Sequence, residues 1–259
     1  MSRSPFWGVL LREIKRYLKV PYQTLGTPLI NSLLYLFIFG LSLGQSITLP
    51  GYPSYLFFLI PGLIMMTTIK NAFDNASSSV VSSKYSGELI DLRITPLTPT
   101  HIASGFCLAG LSRGLIVAII TYITSALLVY FTQPTNLPIT HPWILLYFIL
   151  VSGCGFASMG LTIGMLSKNF DTLNAFSSFL LVPLIYLGGV FFSLNSLHPF
   201  WQLISRFNPL LYMISGVRYG FLGKSDVSVS LAMLISFLFL CFFYACALLT
   251  LRKGKNYHW

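Results

Sequence analysis

Six stretches of this chain, at about residues 27–44, 56–79, 100–131, 143–166, 172–193 and 229–251, are strongly apolar and close to membrane-spanning length. A helix needs about 20 mostly apolar residues to cross a hydrocarbon core roughly 30 Å thick, since each residue advances it by about 1.5 Å. Inside that core no water can satisfy the backbone, so only helices and closed barrels are viable. The runs are continuous and lack the short alternating segments of barrel strands. The expected fold class is therefore all-α, a polytopic membrane protein with six transmembrane helices. Composition agrees: 55% of the 259 residues are hydrophobic and 8% are charged, against about 25% charged in ordinary soluble domains. The first run is preceded by 26 residues and no small-residue cleavage pattern follows it, so it is expected to remain as the first span.

An even number of spans puts both termini on one side, and the basic residues identify that side. Arg3, Arg12, Lys15, Arg16, Lys19, Lys84, Arg93, Lys168, Arg252, Lys253 and Lys255 fall in segments that share a side with the termini. The opposite segments hold Arg206, Arg218 and Lys224, and Lys70 and Arg113 lie within runs. Basic residues gather on the cytoplasmic side of inner-membrane proteins, so both termini are expected there. The net charge of +10 is then accounted for by anionic membrane lipids and requires no nucleic acid.

Between the runs the chain carries amphipathic segments. At about residues 4–20, Trp7, Leu11, Ile14 and Leu18 recur at helical spacing, while Arg12, Glu13, Lys15, Arg16 and Lys19 fill the other face. That is the pattern of a helix lying in the membrane interface, ended by Pro21. At about 84–95, Tyr85, Leu89 and Leu92 form a stripe beside Glu88, Asp91 and Arg93, and Pro96 stops it. Docking into another protein and lying in the interface are both compatible with this pattern. The region at about 194–228 is crowded with aromatic residues. Pro199 and Pro209 each suit a first helical position, Asn208 suits a cap and Gly223 suits a stop. Two short re-entrant or interfacial helices are expected, with Arg206, Asn208, Pro209 and Arg218 as notable residues. A seventh span would contain both arginines and a proline break.

The second run keeps a polar seam of Lys70, Asn71, Asp74 and Asn75. Lys70 and Asp74 stand four residues apart, where a helix lets them pair. A pair so far into a span must face protein or water, so the seam either lines a pathway or ties the helix to a neighbour. Arg113 poses the same question. Small residues four apart, Gly40 with Gly44, Gly110 with Gly114 and Gly160 with Gly164, permit close helix contact within one chain or between two.

Catalytic and metal chemistry find little support. Cys107, Cys154, Cys241 and Cys246 lie within runs at spacings that match no zinc site or disulfide framework. Gly40-Leu41-Ser42-Leu43-Gly44 has the spacing of a hydrolase nucleophile turn but closes an apolar run with no strand before it. Gly223-Lys224-Ser225 resembles the end of a P-loop, yet its first glycine is replaced by Arg218. The chain is thus expected not to be an enzyme and to have no metal or nucleotide site of its own.

Nearly the whole chain resembles the type-2 ABC transporter permeases (ABC-2 family), and within them the YadH-like bacterial inner-membrane permeases grouped with drug and polyketide exporters. The resemblance is strongest at Pro61-Gly62-Leu63-Ile64-Met65-Met66, at Glu88 to Pro96 running into Leu97, at Tyr186-Leu187-Gly188-Gly189-Val190-Phe191, and at Asn208-Pro209-Leu210-Leu211-Tyr212-Met213 continuing to Arg218-Tyr219-Gly220. It implies one ABC-2 transmembrane domain over residues 1–259, with an elbow helix, a coupling helix at Glu88, Leu89, Asp91, Leu92 and Arg93, and re-entrant helices before the last span. It further implies a permease homodimer joined to two copies of a cytoplasmic ABC ATPase subunit that binds ATP and Mg, exporting an amphiphilic, drug-like, lipid or glycoconjugate substrate across the inner membrane. An ion-coupled secondary transporter is the alternative, disfavoured because Asp74 is the one acid within a run. The distribution of basic residues makes a direct prediction: reporter tags at both termini will report cytoplasm and one inserted near Asn136 the opposite side, and an external tag after Trp259 would overturn the expected topology.

Overall fold

The computed structural model describes residues 5–44, 46–47, 52–89, 97–132 and 136–253. Among them every regular element is a helix: α1 (Pro5–Leu18), α2 (Thr27–Ser42), α3 (Tyr55–Tyr85), α4 (Pro99–Thr132), α5 (Pro142–Leu166), α6 (Phe170–Leu187), α7 (Pro199–Phe207), α8 (Pro209–Leu222) and α9 (Val229–Lys253), with a short 3-10 turn at Leu194–Ser196. Five of these, α3, α4, α5, α6 and α9, are long and apolar enough to cross a membrane. The first expected run forms α2, 16 residues and about 24 Å long. Of the six expected spans, α2 therefore falls short of full span length. It contains wide π turns at Leu36–Ser42 and is preceded by another π segment at Tyr22–Gly26.

The fold is organised around α3, a rod of 31 residues whose apolar window is 89% buried. It lies among α4, α5 and α8, which explains why its stretch from Tyr55 to Met66 is apolar on every side. The glycine pairs make this possible. A side-chain carbon at Gly110 would stand 2.9 Å from the Ala72 carbonyl oxygen, one at Gly114 2.8 Å from that of Thr68, and one at Gly164 2.9 Å from that of Ser77. One at Gly160 would collide with the carbonyl of Phe73. Both pairs, on α4 and α5, thus press against the backbone of α3 within one chain. Peripheral helices are the reverse: the apolar windows of α6 and α9 are only 17% buried, with side chains such as Phe179, Phe237 and Phe242 exposed, as suits surfaces that meet lipid.

The apolar run expected to end at residue 193 leaves its helix at Leu187. Gly188 and Gly189 break it, and Gly189 adopts φ +85°, a left-handed conformation that a side chain would strain. Beyond it, α7 and α8 meet where Asn208 caps α8 by accepting from the Leu210 amide, with Pro209 at its first position. Gly223 ends α8 at φ +69°. α8 is buried rather than interfacial: its Gly216 and Gly220 lie directly against Phe148 and Leu145 of α5.

α1 is turned differently from the simple amphipathic reading. Trp7 and Leu18 remain 51% and 50% exposed, while Val9, Leu10, Glu13 and Tyr17 face the protein. Glu13, expected on the polar outer face, is 1% exposed because Arg12, Arg16 and the Ser79 hydroxyl satisfy it. Trp7 and Leu18 of the apolar stripe are left exposed, as suits a helix lying in the membrane interface. Because Gly160 has no room for even one more carbon, Gly160→Leu is expected to lower stability by about 1–3 kcal/mol. Gly8→Ala, with open space around it, should leave the melting temperature of the detergent-solubilised protein nearly unchanged; equal behaviour of the two variants would refute this packing.

Candidate functional site

The polar seam of α3 divides between two sites. Lys70, Asn71 and Asp74 line a cavity of about 360 Å³ between α2, α3 and α4. Lys70 Nζ donates to Asp74 Oδ2 at 2.9 Å, one helical turn away. These side chains remain 39% and 37% exposed, so the cavity is not sealed. Asn71 Nδ2 donates to the Thr67 carbonyl at 2.9 Å. Asn31 and Tyr35 of α2 and Arg113 of α4 complete the polar lining. Among the described residues Arg113 makes no hydrogen bond or ion pair, and its Nε is buried without an acceptor. Nearby, the hydroxyls of Ser32, Thr67 and Thr121 join the three helices at 3.1 and 3.4 Å.

Asn75, the fourth member of the seam, belongs to a different contact. Arg16 Nη2 donates to its Oδ1 at 3.0 Å and to its backbone carbonyl at 2.9 Å, so it ties α1 to α3. Further along, toward the Tyr85 end of α3, Lys84 Nζ donates to the carbonyls of Met165 and Ser167, holding the C-terminus of α5 with a charge of favourable sign. Beyond it Glu88 lies 3.6 Å from Arg12. Leu89, expected on an outward stripe, is instead buried in an apolar cluster with Val9, Ala76 and Phe106. A lone leucine on a short segment is covered by the nearest apolar surface, which here is its own chain. Asp91, Leu92 and Arg93 lie outside the described residues.

At the Tyr55 end of α3, two of the sequence segments singled out above meet at one side chain, and a third packs beside them. Arg218 of α8 is fully buried. Its Nη1 donates to Asp226 Oδ2 at 3.1 Å, its Nη2 to the Gly189 carbonyl at 2.8 Å, and its guanidinium carbon sits 3.7 Å from the centre of the Phe58 ring. Ser193 Oγ donates to the other oxygen of Asp226 at 3.1 Å. Tyr55 Oη donates to the Phe191 carbonyl at 2.6 Å, and Asn208 Nδ2 to that of Leu184 at 2.6 Å. A side chain at Gly62 would stand 3.0 Å from the Val190 carbonyl. Burial pushes the phenol of Tyr52, in the loop before α3, above its ordinary range while the Arg218 charge pulls it back. Arg206 is not part of this hub; it stands in the last turn of α7, and its carbonyl accepts the Tyr212 hydroxyl at 2.9 Å.

Sequence reasoning missed Asp226 and the inward turn of Glu13. A usable signal was present: the chain holds six acids against sixteen bases, so every acid near an apolar segment has a choice of cations. Arg218, counted from sequence as a basic loop residue, is a buried pair.

The family model for the ABC-2 type transporter matches residues 5–222. The chain belongs to the ABC-2 type transporter family. It is 39% identical over 252 residues, 96% of this chain and 95% of the relative, to the inner membrane transport permease YadH of Escherichia coli K12. It is 25% identical over 256 residues to nodulation protein J of Neorhizobium galegae, covering 95% of this chain and 92% of that protein. It is also 25% identical over 235 residues to nodulation protein J of Rhizobium leguminosarum bv. viciae, covering 86% and 85% of the two chains. The cavity and the Arg218 hub are therefore features of an ABC-2 chain, and the ion-coupled reading loses its ground.

The hub makes a stability prediction. Asp226→Asn leaves the Arg218 charge buried without its counter-ion and should destabilise the solubilised protein by about 3–5 kcal/mol. The double variant Arg218→Met, Asp226→Leu should lose less than the sum of the two single changes, because the interaction is then removed from both sides. Strict additivity of melting-temperature losses would show that the two residues do not act as a pair.

Proposed function

We propose that this ABC-2 chain is the permease subunit of an exporter in the bacterial inner membrane, working as a homodimer with two copies of a separate cytoplasmic ABC ATPase that binds ATP and Mg. The observation that carries the reading is the family match across residues 5–222 in a chain whose sequence contains no complete P-loop. Energy then has to arrive through a protein contact. The relative named as an inner membrane transport permease supports the location, and the basic residues support cytoplasmic termini. An amphiphilic, drug-like, lipid or glycoconjugate substrate suits the mixture of polar cavity and lipid-facing surface.

In this reading α1 is an interfacial elbow, α7 and α8 are re-entrant, and the segment from Glu88 through Asp91, Leu92 and Arg93 is the coupling element. The physical support lies in what Glu88 is attached to. Its carboxylate faces Arg12 of α1, its neighbour Leu89 is anchored in the protein, and Lys84 just before it holds the end of α5. A displacement of this segment therefore moves α1, α3 and α5 together. α3 is packed too closely against α4 and α5 to bend independently, so it carries that displacement toward the Arg218 hub and alters the cavity at Lys70, Asn71 and Asp74 on the way. The process is rigid-body alternating access around the permease interface.

The test is reconstitution with the partner ATPase at matched expression. The lone chain should show no specific ATP hydrolysis. Glu88→Lys, Asp91→Lys or Arg93→Glu should leave the permease folded in the membrane while reducing stimulated hydrolysis and co-purification at least about fivefold, since such charges set register against complementary groups. Hydrolysis by the lone chain, or unchanged coupling in all three variants, defeats the proposal.

A further inference from the structure

The cavity between α2, α3 and α4 has a charge imbalance that pathway lining alone does not explain. Asp74 is engaged by Lys70 at 2.9 Å. Arg113 faces the same cavity with no salt bridge or hydrogen bond among the described residues; only the more distant charge of Asp74, already engaged by Lys70, reaches it, and its Nε is buried without an acceptor. The described lining thus carries two cations and one anion. Arg113 stands near the middle of α4, 34 residues long, where an isolated charge is costly and needs a counter-ion. A guanidinium offers several donors in a planar fork, the geometry that carboxylate and phosphate oxygens fill.

The rest of the cavity indicates what bears that anion. Its volume of about 360 Å³ is at the small end of the roughly 300–1,000 Å³ range of ligand pockets, room for a headgroup rather than a whole amphiphile. Asn31, Tyr35, Thr67 and Asn71 add neutral hydrogen-bonding groups suited to hydroxyls. Beside it α2 exposes Ile30, Leu34, Phe37 and Ile38, an apolar track on which an alkyl tail can lie. We infer that this cavity is a receptor for the anionic headgroup, phosphate or carboxylate, of a single amphiphile, with Arg113 as the residue that binds the anion and Lys70 as its second cation. The assignment of the site itself is independent of the exporter reading; whether the amphiphile is cargo or a resident lipid rests on it.

The binding experiment uses the full chain in dodecyl maltoside, without an ATPase, titrated with dioctanoyl phosphatidic acid and with uncharged dioctanoylglycerol. The wild type should bind the phosphatidic acid saturably and the glycerol compound at least about tenfold more weakly, because a charge-assisted fork is lost. Arg113→Gln should weaken phosphatidic acid about tenfold and Arg113→Lys less, with Arg206→Gln unaffected as a control on general surface charge. Size-exclusion behaviour and melting temperature establish that each variant is folded; should Arg113→Gln not fold, Arg113→Lys and Lys70→Gln carry the comparison. Equal binding of the two lipids, or equal binding by every folded cavity variant, overturns the inference. A second arm, in phosphatidylcholine vesicles with the partner ATPase, separates the sources once the first has succeeded. Stimulation of hydrolysis by phosphatidic acid that depends on Arg113 identifies transported cargo. Arg113-dependent binding without stimulation identifies a resident lipid, and both outcomes uphold the site.

Discussion

Helices already surrounded by hydrocarbon gain no hydrophobic energy by meeting one another, so their association depends on how closely their backbones can approach. In this chain that constraint falls on α3. Gly110 and Gly114 of α4 and Gly160 and Gly164 of α5 meet its carbonyls at Ala72, Thr68, Phe73 and Ser77, so that two neighbours are seated on one rod. Everything else is arranged around the result. α8 is packed alongside, while α6 and α9 remain mostly open to their surroundings.

Scarcity of charge gives each ion pair a defined task. Glu13 ties α1 to α3 through Arg16, Asn75 and Ser79; Glu88 faces α1 through Arg12; Asp226 neutralises Arg218 at the opposite end. Buried pairs of this kind seldom add much net stability over a well-packed apolar alternative, but losing one partner is severe. Their value is in specifying which surfaces meet. Arg218 illustrates it by joining the break after α6, the loop after α8 and the ring of Phe58 at one guanidinium. Lys70 and Asp74 differ in being only partly buried, beside a cavity that also holds the unsatisfied Arg113. Glu13 and Arg218 are held in contacts that join separate elements, whereas Lys70, Asp74 and Arg113 line the cavity.

In the exporter proposed above, this separation would suit a machine driven by another polypeptide. The ends of α3 are fastened by local contacts, at Lys84 and Glu88 on one side and at Tyr55 and Phe58 on the other, while its middle faces the cavity. α2 forms the wall opposite through Thr27, Pro28, Asn31 and Tyr35, just before its π segment at Leu36–Ser42.

Much of the architecture was legible in the chain itself. Long apolar runs require helices because hydrocarbon cannot hydrogen-bond the backbone, and Asn208, Pro209 and Gly223 set local boundaries through caps and φ preferences that need no distant partner. Family resemblance was legible too, since its segments are continuous in sequence. Less accessible was the direction each face would take. The stripe of Trp7, Leu11, Ile14 and Leu18 has the same periodicity whether it meets protein or lipid, and only the placement of Ser79 and Asn75 turned Glu13 inward. The seam from Lys70 to Asn75 likewise divided because α1 approaches one side of α3 and α2 the other. Sequence alone determined that this chain is a set of membrane helices of the ABC-2 kind, because hydropathy and caps act locally. Tertiary structure alone decided which charges fasten helices together and which line the cavity, because that depends on which helix arrives opposite each side chain.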